Sequence, residues 1–108
     1  ARINEFHVAP QVNPENGLPY HEWFIEFEQE EENLSEFTKS LDENLQELNT
    51  YYKDLIDGNV LKQLQITILE KDAFRKYMKS VGKLGGQNKV PRLANDRKIA
   101  EELSKFKL

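Results

Sequence analysis

Apolar and polar residues alternate along residues 20–27 and 63–68, and this alternation predicts β-strands. The clearest case is residues 20–27 (YHEWFIEF), where every second side chain points to the same side of a half-buried strand. Residues 3–8 (INEFHV) predict a short strand before it, and residues 64–68 (LQITI) predict a third. Residues 9–19, rich in Pro, Asn and Gly, predict a connector between the first two strands.

From Leu34 onward the apolar residues recur every three or four positions, which predicts one long amphipathic helix over residues 34–57. Asn33 is the expected N-cap, Glu36 completes a capping-box-like pair, and Gly58 ends the helix.

Two shorter helices are predicted after the third strand. Asp72 is expected to cap the first of them, which ends at Gly82, and Asn95 or Asp96 starts the second. Their expected inward residues are Phe74, Tyr77, Met78 and Val81 in the first helix and Ile99, Leu103 and Phe106 in the second.

The order strand, strand, helix, strand, helix, helix predicts an α+β sandwich in which a mixed sheet carries helices on one face. A strand and a helix before Ile3 would complete a ferredoxin-like βαββαβ pattern with two extra helices. We expect one buried sheet face packed on the long helix, formed by Trp23, Ile25, Phe27, Leu64, Ile66 and Ile68 against Phe37, Leu41, Leu45 and Leu48.

The composition fits a single domain spanning residues 1–108. The chain is 38% hydrophobic, and no apolar run approaches the ~20 residues of a membrane span. The absence of cysteine excludes disulfides and thiolate metal sites and is compatible with a cytoplasmic protein. The chain starts at Ala1 without a leader, so we expect it to be processed or cut from a longer protein.

The net charge of −4 is the sum of an acidic first part and a basic last part of the chain. Residues 1–70 hold four Lys or Arg against fifteen Asp or Glu, which gives −11, whereas residues 71–108 hold eleven against four, which gives +7. The acidic run at residues 26–36 is typical of a solvated helix start. The basic segment surrounds a loop rich in glycine.

Candidate chemistry within the chain is sparse. His7 and His21 lie on neighbouring predicted strands, but without a third ligand the expected role of both is that of partly buried imidazoles. Glu22 and Glu26 share a strand face ~13 Å apart, too far to cooperate, and are expected to face solvent. The sequence contains no nucleophile elbow and no Walker P-loop.

The loop GKLGGQNKVPR, Gly82 to Arg92, has two interpretations. It is a plain helix connector, or it presents groups to an anion such as a phosphate. In the second case Pro91 stiffens the C-terminal end of the loop. The backbone of Gly85 and Gly86 approaches the anion closely, and the side-chain amides of Gln87 and Asn88 donate hydrogen bonds to it. Lys89 and Arg92 contribute positive charge.

The segment DAFRKYMKSVGKLGGQNKVPRLANDRKIAEEL resembles the C-terminal region of the Gretchen Hagen family, the auxin-responsive acyl-acid amido synthetases. Gln87, Lys89, Pro91 and Arg92 fill the four defined places of that family's Gln-x-Lys-x-Pro-Arg loop. LPYHEWFIEFE, residues 18–28, is similar to the family's Gly-His-Tyr-x-x-Tyr-Trp-Glu strand. The departures at residues 85–86 and at Asn88 indicate a bacterial branch.

The resemblance implies an adenylate-forming ligase, in which a large N-terminal domain binds ATP, Mg²⁺ and the acyl acid and a small mobile C-terminal domain closes over it. This chain resembles the small domain without its first strand and helix. Lys89 then corresponds to the lysine that reaches the phosphate during adenylation, with Gly85, Gly86, Gln87, Asn88 and Arg92 as supports. The implied partners are the N-terminal domain, a carboxylic acid and an amino acid, with neither nucleic acid nor membrane.

A second class of function is a nucleic-acid-binding module, which would use the sheet face of Tyr20 and Phe24 for stacking and the basic segment for phosphates. Glu22 and Glu26 on the same face count against it, because they repel a nucleic-acid backbone. A third interpretation, a ferredoxin-like sensor of small ligands, rests on analogy of fold alone.

Overall fold

The computed structural model describes residues 2–12, 17–29, 31–82 and 90–108. Three strands in one sheet and four α-helices make up the regular structure of these residues, with a short 3₁₀ turn near the end. The α+β class and the mixed sheet are confirmed. In chain order the elements are β1 Ile3–Gln11, β2 Tyr20–Phe27, α1 Leu34–Leu48, α2 Thr50–Asp57, β3 Gln65–Ile68, α3 Ala73–Ser80, α4 Lys98–Leu103 and the 3₁₀ turn Ser104–Phe106.

The sheet has the order β1-β2-β3, with β1 antiparallel and β3 parallel to β2. Helices α1 and α2 form the crossover between the two parallel strands. In the split βαβ unit of a ferredoxin-like fold another strand lies between such a pair. Here β2 and β3 are hydrogen-bonded neighbours, so no further strand lies between them.

Strand β1 is longer than the sequence indicates. It continues through Ala9 and Pro10 to Gln11, where it is paired with Tyr20 of β2. The sequence predicts a connector for residues 9–19 because they are rich in Pro, Asn and Gly. Proline also lacks the amide hydrogen that a central strand needs. Pro10 is accommodated because β1 is at the edge of the three-stranded sheet.

Helices cover both faces of the sheet, whereas the sequence analysis places them on one. The front face is the side of β2 that carries Trp23 and Ile25, and there Phe27 contacts Phe37 of α1 edge to face with ring centres 5.5 Å apart. The back face carries Phe24, which is fully buried against α3 and α4. Its cluster contains Ala9, Phe24, Leu69, Ala73, Phe74, Met78, Val90, Ala100 and Leu103.

The single long helix of the prediction is two helices. Asn33 caps α1 as expected, by accepting from the amide of Glu36 at 3.1 Å. At Asn49 the backbone leaves the helical region, and its side-chain oxygen accepts from the amide of Tyr52 at 3.2 Å. This cap starts α2, and the break leaves Leu48 85% exposed, so its predicted place in the core is wrong.

Helix α3 keeps its predicted position but not its predicted cap. Asp72 has a φ of 65° and makes no side-chain cap bond. Phe74 and Met78 are buried as expected, whereas Val81 is exposed. No helix among the described residues is both long enough and apolar enough to cross a membrane.

Candidate functional site

The loop from Gly82 to Arg92 joins α3 to α4, and the structure describes only its two ends. Gly82 has a φ of +72°, a conformation that favours glycine, and its amide donates to the carbonyl of Lys79 at 3.1 Å. Five of the predicted site residues lie outside the described residues: Gly85, Gly86, Gln87, Asn88 and Lys89.

The exit of the loop is fixed against the outer edge of β1. Val90 is 7% exposed and belongs to the core cluster on the back face. The amide of Val8 donates to the carbonyl of Arg92 at 2.8 Å, and the amide of Ala94 donates to the carbonyl of Val8 at 3.0 Å. The chain therefore returns to the sheet immediately after the predicted phosphate-binding residues.

A side chain of β1 adds a further anchor at this exit. His7 is fully buried, and its Nδ1 lies 2.5 Å from the carbonyl oxygen of Pro91. Because a carbonyl only accepts, this contact requires a hydrogen on Nδ1. Burial lowers the pKa of His7, partly offset by the Pro91 carbonyl and by Asp96, so the neutral ring is the favoured donor.

Arg92, the predicted site residue that the structure describes, lies at the surface of the exit. Its Nε donates to Glu5 at 3.1 Å, and its guanidinium carbon lies 5.0 Å from the centre of the Phe6 ring. The Arg92 side chain is 64% exposed, so both contacts are open to water. The guanidinium of Arg92 therefore lies at the end of the loop, where the Glu5 carboxylate and the Phe6 ring hold it.

Glu22 and Glu26 do not face solvent, which corrects the sequence expectation. Glu22 accepts from Arg97 Nη2 at 2.8 Å and from the hydroxyl of Thr67. Glu26 is 2% exposed and accepts from the amide of Phe74 at 3.1 Å. Both carboxylates are committed to holding α3 and α4 segments on the back face.

The two histidines lie on opposite faces of the sheet. His7 pairs in register with Phe24 of the back face, whereas His21 belongs to the front face and stacks on Tyr52 with ring centres 5.6 Å apart. Burial lowers the pKa of His21, with Asp42 acting in the opposite direction. The two rings cannot share one metal ion, and the described residues contain no group of three metal-ligating side chains.

An open groove of about 900 Å³ runs along the front face beside the loop exit. Aromatic and aliphatic side chains form most of its wall, and Arg92 stands at its border. The residues that border it include Phe6, Val8, Trp23, Leu45, Tyr52 and Leu93. The cation of the exit thus adjoins an apolar surface of the same domain.

The nucleic-acid interpretation needs Tyr20 and Phe24 as an exposed aromatic platform, and the structure does not present them as one. Phe24 is fully buried beneath α3 and α4. Tyr20 already carries the ammonium of Lys62, 4.8 Å from its ring centre. The sheet face proposed for base stacking is therefore part of the core.

Sequence reasoning missed His7 as a contact of the loop. The residues joined by this bond are 84 positions apart, so no local spacing relates them. The available signal was a histidine in an apolar strand, which indicates burial but names no partner. Only the tertiary structure connects β1 with Pro91.

Comparison with known proteins gives one family and a shared fold. Residues 1–98 match the GH3 family C-terminal domain. The structure of a GH3.15 acyl acid amido synthetase aligns with a TM-score of 0.75 at 17% identity. The AtGH3.15 acyl acid amido synthetase in complex with 2,4-DB aligns with a TM-score of 0.74 at 18% identity. Both alignments cover 98% of this chain. No curated protein sequence matches it.

The chain is much shorter than the proteins whose fold it shares. It spans 20% of the length of each of the two synthetases.

Proposed function

This chain belongs to the GH3 family, whose C-terminal domain it matches, and we propose that it acts as the C-terminal domain of an ATP-dependent acyl acid amido synthetase. The supporting observation is that nearly all of its fold aligns with one fifth of two such synthetases. The proposed parent protein adenylates a carboxylic acid and couples it to an amino acid. The domain alone is inactive, since the rest of the parent binds ATP and the acid.

The proposed reaction has two steps. An oxygen of the substrate carboxylate attacks the α-phosphorus of ATP, the bond from that phosphorus to the bridging oxygen breaks, and pyrophosphate leaves. The amine nitrogen of the amino acid then attacks the acyl carbon, AMP leaves with the carboxylate-derived oxygen, and the amine loses a proton. In the first step two anions, the carboxylate and the α-phosphate, approach each other, and a cation placed between them lowers the barrier.

We assign the cation to Lys89. It precedes Val90, whose burial fixes the chain at the point where the loop returns to the sheet. Gly85 and Gly86 allow close approach of the backbone, and Gln87 and Asn88 supply amide donors. Arg92 is the secondary cation, already held at the surface by Glu5.

The donors at the exit fit one phosphate contact rather than a complete nucleotide site. The described residues offer Arg92 there, partly neutralised by Glu5. Mg²⁺ requires oxygen ligands, and no group of three metal-ligating side chains occurs in the described ranges. We therefore place ATP and Mg²⁺ mainly in the N-terminal domain, with Lys89 reaching across to them.

The bacterial branch and a cytoplasmic location belong to the same proposal. The first is supported by the glycine pair and Asn88, which depart from the plant form of the loop. The second is supported by the absence of cysteine.

The test is Lys89→Ala in the full-length parent. Acid-dependent exchange of pyrophosphate into ATP should fall by about 10²–10³, the usual cost of removing one transition-state contact. Single-turnover aminolysis of a supplied acyl-adenylate should fall much less, because it does not involve attack at phosphorus.

The matched control is Lys79→Ala, which removes an exposed lysine from the last turn of α3. Its exchange rate should equal that of the wild type. If Lys89→Ala also exchanges at the wild-type rate, the loop is a connector and the assignment of Lys89 is lost.

A further inference from the structure

We propose that His7 is a positioning residue for adenylation: by holding the Pro91 carbonyl, it fixes where the chain returns to the sheet after Lys89. This inference rests on the proposed function, because Lys89 is the group being positioned. His7 itself is fully buried, so its role is argued through the position of Lys89 and not through contact with the substrate.

The distance along the chain makes this control direct. Only Val90 lies between Lys89 and Pro91. Consecutive Cα atoms are about 3.8 Å apart, so a fixed Val90 also fixes the point from which the preceding residue extends. Val90 is held by burial on one side and by the Pro91 contact on the other.

The backbone alone does not anchor this position. Pairing with β1 involves the carbonyl of Arg92 and the amide of Ala94, both beyond Pro91. Pro91 has no amide hydrogen, and no backbone–backbone bond involves Val90 or Pro91 among the described residues. The His7 bond therefore extends the anchorage one residue closer to Lys89.

Removal of this bond should allow the exit to shift relative to the sheet. The Lys89 ammonium lowers the barrier only if it lies close to the charge that develops at the α-phosphate. A displacement of a reacting or catalytic group by about 1 Å costs on the order of 100-fold in rate. A change in position should lower kcat for adenylation and leave the KM for the acid nearly unchanged, because the acid pocket lies in the other domain.

The experiment compares His7→Leu with His7→Asn in the full-length parent, by pyrophosphate exchange. Leucine fills the site without a donor, whereas the Asn amide nitrogen lies as many bonds from Cβ as the imidazole Nδ1. We expect His7→Leu to lower kcat about tenfold or more and His7→Asn to recover most of the rate. The control is His21→Leu, which removes the second imidazole of the chain, partly buried on the opposite face of the sheet, and should leave kcat unchanged.

A double-mutant cycle separates positioning from general destabilisation. If His7 acts through Lys89, His7→Leu should cause no further loss once Lys89 is Ala. Fully additive losses overturn the inference, as does a wild-type kcat in His7→Leu. If Lys89→Ala alone exchanges at the wild-type rate, the proposed function fails first and the inference with it.

A second pair of variants covers the case in which His7→Leu does not fold. His7→Gln and His7→Asn differ by one methylene and both keep an amide donor, but only Asn places it at the Nδ1 position. Retention of kcat in Asn and loss in Gln support the inference, and equal kcat values in the two variants overturn it.

Discussion

Glu26 performs at α3 the task that the sequence assigns to Asp72. Its carboxylate accepts from the amide of Phe74 in the first turn of the helix and also from the side chain of Asn4. A carboxylate at a helix N-terminus is stabilised by the unpaired amides and the helix dipole. The cap is thus supplied by a strand 48 residues earlier in the chain.

We predict that Glu26→Ala destabilises the domain by about 2–3 kcal/mol, because the buried amide of Phe74 loses its acceptor. The matched control is Glu28→Ala, whose side chain is exposed and lies 3.8 Å from Arg2, so its effect should stay within about 0.5 kcal/mol. Urea unfolding of both variants measures the difference. Equal midpoints would show that the cap contributes nothing.

The error about Glu26 has a physical origin. Alternation along β2 separates two sets of residues but does not tell which set is covered. The sequence pattern predicts burial for the side with Trp23, Ile25 and Phe27 and leaves Glu26 in solvent. The back face is covered by α3 and α4, which come from the last third of the chain. A buried carboxylate on a strand is explained only once those helices are placed.

At the scale of elements, the division between α1 and α2 depends on Asn49. The apolar period continues from α1 into α2, so periodicity alone predicts one helix. Asn49 and Thr50 also form a good helix start, and the structure uses it, with the Asn49 side chain capping α2. The cap at Asn49 determines the break in the helix because Leu48 and Tyr51 are exposed, so core packing does not require one straight helix.

We predict that Asn49→Ala costs about 1 kcal/mol of stability through loss of this cap. Asn44→Ala, an exposed position inside α1, should be neutral or slightly stabilising, because alanine is the better helix former. Thermal unfolding followed by circular dichroism compares the two. A neutral Asn49→Ala would mean that tertiary contacts, not the cap, set the break.

Periodicity and capping predict strand β2 and the outer limits of the region from α1 to α2, whereas features set by distant contacts are not predictable from the sequence. Strand β2 has its predicted bounds, and Asn33 and Gly58 bound the helical region as expected. The extension of β1 to Gln11 depends on pairing with β2, which composition does not reveal. At the candidate site, the Gln-x-Lys-x-Pro-Arg pattern indicated the loop, while the anchors His7 and Val8 became visible only in the structure.

At the scale of the whole molecule, charge and fold divide along the chain. The basic segment of residues 71–108 carries the loop, and the acidic segment of residues 1–70 carries most of the sheet. The mixed sheet by itself does not identify an activity. The family match identifies the chain as a GH3 C-terminal domain, and the activity of a parent protein is the proposal made above.

The 108-residue chain alone should not bind ATP usefully. Small-molecule sites enclose most of their ligand, whereas the described end of the loop offers one exposed guanidinium already paired with Glu5. A few surface donors do not offset the entropy that a nucleotide loses on binding. Calorimetry with ATP and Mg²⁺ should therefore give no Kd below about 1 mM, an affinity of about −4 kcal/mol. The full-length parent serves as the control and should bind ATP far more tightly than the isolated chain. Micromolar binding by the isolated chain would place the nucleotide site within this domain and contradict the assignment of ATP to the N-terminal domain.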